Sequence, residues 1–159
     1  MQVFKDGGNP QREWTISITY GSLKRVKDLL GIDLASPMDG DPPLLTRLDT
    51  DIFLMCNTLY VLCKPEADAR GISDEQFGEL LGPHAICAAR HAFFEEWRFF
   101  SQTLGRPDLT KAVEKQQVFM RKVIDRAAQE IGSPKLDEIL DRHLAKVSID
   151  ASNLPGALE

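Results

Sequence analysis

The sequence predicts a mainly α fold, α+β by strict count, in which an N-terminal β-hairpin packs on about six helices. Three observations lead there. Residues 13–20 alternate apolar and polar at period two, and from Ser22 onward apolar positions recur at i+3, i+4 and i+7. Glycine or proline punctuates the periodic stretches at Gly31, Pro65, Gly82-Pro83, Gly105 and Gly132. At 159 residues and 43% apolar, the chain has the size and composition of one domain. That domain is expected over 1–147, with the hairpin in 1–20 and helices in 22–147, followed by a flexible tail over 148–159.

The hairpin rests on Trp14, Ile16, Ile18 and Tyr20 alternating with Glu13, Thr15, Ser17 and Thr19, a pattern rich in β-branched residues. Gln2-Val3-Phe4 is the second extended stretch, and Asp6-Gly7-Gly8-Asn9-Pro10 between them is turn chemistry. A lone hairpin is marginal in water, so the Trp14/Ile16/Ile18 face must lie on helices. Ser22 is expected to cap the first helix, whose Leu23, Val26, Leu29 and Leu30 share one side and which Gly31 ends. Ile32 and Leu34 then pack, Ala35 to Asp41 is a loop, and Pro42-Pro43 precede a short turn around Leu44 to Leu48. Thr50 or Asp51 caps the run IFLMCNTLYVLCK. A helix apolar nearly all round is the buried centre of a domain, and Pro65 is expected to stop it.

The next start is the best-specified local feature. Ser73 and Gln76 form a capping box, with Ile72 and Phe77 placed as a hydrophobic staple. Gly82-Pro83 interrupts that helix and opens a long one to about Leu104, with Ile86, Phe93, Trp97, Phe100 and Leu104 on its core side. After Gly105-Arg106-Pro107, another long helix carries Leu109, Val113, Met120, Val123, Ile124, Ala127 and Ile131 on one side, and Gly132 closes it. Ser133-Pro134 restarts a last helix that buries Leu136, Ile139, Leu140, Leu144 and Val147.

Composition narrows the function. A net charge of −5 argues against a general nucleic-acid binder, which carries a basic face. No window approaches the roughly 18 uninterrupted apolar residues of a membrane span, and MQVFKDGGNP lacks the features of a secretory signal. Three cysteines, Cys56, Cys63 and Cys87, with no C-x-x-C pair, read as buried free thiols in a reducing cytoplasm.

The sharpest chemical candidates are His84, Cys87, His91 and Glu95, which fall within an arc of about 80° on a helix. Imidazole and thiolate are preferred zinc ligands, but four ligands strung over three turns of a straight helix cannot surround one ion. At most two adjacent ones bind, with the rest supplied from elsewhere, for example by His143. Against this stands a polar helix face with a small buried thiol, and no metal or other cofactor is expected. A cysteine-dependent enzyme pairing Cys87 with His84 or His91 is the catalytic alternative, since Cys87 lies near a helix start that favours thiolate. No glycine-rich oxyanion turn or cysteine-hydrolase motif accompanies it, so the chain is read as a non-enzyme. Glu95 and Glu96 point about 100° apart and read as solvated surface. The phosphate-loop signatures are absent.

The aromatic run over 91–100 is more informative. Phe93, Trp97 and Phe100 share the core face, Phe94 lies on the flank, and Phe99 points about 240° away from Phe93. Phe99, with Arg98 beside it and Phe94 on the flank, is the candidate partner-binding surface. The competing reading has another helix of the chain covering Phe99.

Two stretches, EWTISITYGSLKRVKDLLGIDL from Glu13 and LYVLCKPEADARGISDEQFG from Leu59, resemble small tail assembly chaperones of long-tailed phages and prophages. The hairpin, the K-R-V-K helix and the Y-V-L-C-K-P segment come in matching order. The Asp6 to Gln11 loop and the helical part after Gly105 are longer than in that family. The resemblance implies no catalytic residue. It implies a binding role in the bacterial cytoplasm, shielding a tape-measure protein and helping recruit tail-tube subunits. A regulatory protein-binding adaptor unrelated to phage is the remaining alternative.

Overall fold

The computed structural model describes residues 1–131. Its element order is β1 (Gln2–Lys5), β2 (Glu13–Ile16), α1 (Tyr20–Leu30), α2 (Leu44–Thr50), α3 (Ile52–Arg70), α4 (Asp74–Leu80), α5 (Pro83–Thr103) and α6 (Pro107–Ile131). The fold is therefore mainly α with an N-terminal hairpin, as the periodicities require. The chain divides by its internal contacts into a unit of Met1–Gln117 and a second beginning at Val118. The expected helix after Ser133-Pro134, the domain end at 147, His143 and the tail lie outside the described residues.

In the first unit, β1 and β2 pair antiparallel with Phe4 opposite Trp14. Phe4, Trp14, Ile16 and Ile18 are all buried, with α3 packed on β2 and α5 on β1. Tyr20 leaves the alternation and is exposed, because the chain has turned helical by then. The cap of α1 is Thr19 rather than Ser22. Thr19 Oγ1 accepts from the Ser22 amide at 3.2 Å, while Ser22 Oγ accepts from the Thr19 amide at 2.8 Å. Ser22 thus stands at the third helical position of a reciprocal box. Val26 is the buried centre of the helix, and Leu29 falls beside that seam and is exposed. Gly31, at φ 68°, closes the helix in the left-handed conformation expected of it.

Pro65 does not stop α3, which runs on to Arg70 and closes at Gly71. Proline lacks the N–H that the Val61 carbonyl would accept, and its ring crowds that carbonyl. Arg25 on α1 supplies the missing donor: its Nη1 donates to Val61 O at 2.9 Å and to Leu62 O at 3.3 Å. Asp51 caps the helix start, Oδ1 accepting from the amides of Phe53 and Leu54 at 3.0 Å each. Met55, Leu59, Val61, Leu62 and Cys63 enter the core, but Ile52 and Phe53 in the first turn are exposed, so α3 is central only beyond that turn.

The Ser73–Gln76 box forms as expected, and Phe77 is buried against Trp14, ring centroids 4.8 Å apart and edge-on. Pro83 opens α5 at its first position. Phe93 and Trp97 lie in the core and the Trp97 indole N–H donates to Leu34 O at 3.0 Å, whereas Leu104 beyond the helix end is exposed. In α6, Leu109 and Val113 are buried, but Val123, Ile124 and Ile131 are exposed. An amphipathic period marks which side of a helix is apolar, not whether anything meets it. Among the described residues no helix is long and apolar enough to cross a membrane.

Ser101, buried near the end of α5, has a hydroxyl with no hydrogen-bond partner among the described residues. A buried unsatisfied hydroxyl costs more than the apolar group that replaces it. Ser101→Ala is therefore expected to raise stability by about 1 kcal/mol, read as a higher urea midpoint at unchanged slope. A lower midpoint would show that the hydroxyl is partnered.

Candidate partner-binding surface

Helix α5 buries two adjoining rows of side chains because it is flanked on both sides. Ala85, Ala89, Ala92 and Glu96 are buried on a helix that packs on the hairpin, and their small size admits close approach. On another side Arg90 pairs with Asp49 of α2, whose side chain is almost wholly buried, and Gln116 of α6 donates to the same carboxylate at 3.3 Å. Phe94, one turn after Arg90, lies under that guanidinium at 5.9 Å and stacks on Trp97 at 6.3 Å. At 3% exposure it is core, so Phe94 leaves the candidate surface. The flank position is covered because the buried face of α5 is wider than one stripe.

Phe99 is on the outer side of α5 and 55% exposed. Arg98 is partly exposed and its Nη2 donates to Glu95 at 2.8 Å. That bond holds the Glu95 carboxyl below its ordinary range and the Arg98 guanidinium above its own. His91 and Glu114 add weaker fields on Glu95 and Arg98 respectively. The outer face of α5 thus presents one aromatic ring beside a compensated ion pair.

Glu96 is not surface. It is buried, accepts from the Ile18 amide at 3.2 Å and pairs with the Met1 amino group. The reading of two adjacent glutamates as solvated fails for the second because its partner lies in a distant segment.

Cys87 is exposed rather than buried, since it sits with His84 and His91 off the Ala85/Ala89/Phe93 face. Cys63 is a core thiol, pushed up to about 12 chiefly by burial, and the half-buried Cys56 is shifted upward for the same reason. His84 lines a cavity of about 270 Å³ with Lys5, Asp6, Gln11 and Gly82, but neither Cys87 nor His91 reaches it. That cavity therefore holds one candidate base without the nucleophile. Among the described residues no group of three His, Cys, Asp or Glu side chains is placed to hold a metal ion. Purified protein should keep its melting temperature in chelator. A structural zinc contributes on the order of 10 kcal/mol of binding free energy, so a large drop in melting temperature would reveal one.

Asp6, in the loop between the two strands, is a buried carboxylate that the turn composition of 6–10 does not reveal. Its Oδ1 accepts from the amides of Gly8 at 3.0 Å and Arg12 at 2.9 Å, and Oδ2 accepts from the Trp14 indole N–H at 3.0 Å. Burial opposes the charge, yet these donors together with Arg12 hold the carboxyl below its ordinary value. The spacing Asp6-Gly-Gly was the available signal, an aspartate accepting from the backbone two residues on.

No protein-family model, curated protein or solved structure matches the chain.

Proposed function

We propose that the protein is a non-enzymatic assembly chaperone of a phage or prophage tail, acting in the host cytoplasm by holding a helix of the tape-measure protein until the tail-tube subunits take over. The observation that carries the reading is the exposed Phe99 ring on the outer face of α5, turned away from Phe93 and Trp97. A large aromatic beside an arginine is the composition favoured at protein interfaces, and one apolar side of a partner helix can bury it. The resemblance of the Glu13 and Leu59 stretches to tail assembly chaperones names the partner. Cys87 and His91 are exposed and do not line the cavity that His84 borders, and the binding reading calls on neither of them.

Phe99→Ala tests the reading. An exposed ring contributes little to folding, so the variant should stay within about 0.5 kcal/mol of wild type in denaturant. It should also lose capture of a tape-measure fragment in a pull-down. Normal capture by a stable variant would remove Phe99 from the binding surface.

A further inference from the structure

We draw no further inference here: the strongest candidate, the exposed apolar stripe of α6 through Val123, Ile124 and Ile131, is a helix face without a partner among the described residues, and nothing in the structure shows what covers it.

Discussion

Asp6→Ala is expected to cost about 3–5 kcal/mol, because it removes the shared acceptor of three charge-assisted hydrogen bonds, from the buried Trp14 indole and from the part-buried amides of Gly8 and Arg12. The amides of Gly8 and Arg12 and the indole of Trp14 all point at this one carboxylate. Asp6→Asn separates charge from shape: Oδ1 can still accept from both amides, but the amide nitrogen would face the indole N–H, donor against donor. Its cost should be about 1–3 kcal/mol, that of an unmade buried hydrogen bond. The pH dependence has a definite sign. The folded carboxyl is shifted below 3.8, so at neutral pH it is charged in both states and its stabilisation is complete. As pH falls through the ordinary aspartate range the unfolded chain protonates first. The contribution then shrinks until the folded carboxyl protonates as well. Urea curves at neutral pH and near pH 3 should therefore show the gap between wild type and Asp6→Asn narrowing in acid. A gap that widens would contradict a lowered folded pKa.

Trp14→Ala should be at least as damaging, about 3–5 kcal/mol for a fully buried aromatic. Trp14 meets the Phe77 ring edge-on, carries the Arg70 guanidinium over its face at 4.4 Å and donates to Asp6. Removing it opens a cavity between the hairpin and α4 and leaves the Asp6 Oδ2 with only the Arg12 guanidinium at 3.8 Å. Trp14→Phe keeps much of the ring volume and discards only the N–H, so a smaller loss is expected there. The pair Trp14→Phe and Asp6→Asn should be non-additive, since both act on one hydrogen bond. Strict additivity in a double-mutant cycle would mean that the bond carries no coupling.

What could be read from the sequence was what neighbours in sequence decide. Gly31 closes α1 and Ser73 with Gln76 opens α4 through contacts within one helical turn. The alternation of Trp14, Ile16 and Ile18 likewise selects one face of a strand. Three of the misreadings share a different cause. Pro65 continues a helix because of Arg25, Glu96 is buried because of Ile18, and Phe94 is covered because Arg90 reaches Asp49. Each needs a partner tens of residues away, about which local spacing is silent. The candidate surface divides the same way: helical geometry alone turned Phe99 outward, whereas the fate of Phe94 depended on what packs beside α5.

Arg25 and Pro65 have a consequence for how this sequence can change. The donor that α3 lacks is carried by α1, so the two positions are one unit of information written forty residues apart. While proline stands at 65, position 25 needs a planar group able to reach two carbonyls at once, which lysine, with a single ammonium, matches poorly. Put alanine at 65 and the backbone can supply its own donor, leaving Arg25 open to replacement. Variation at either site is therefore conditional: the same substitution is harmful in one background and silent in another, and the order in which the two changes arrive decides which paths between them pass through a stable protein.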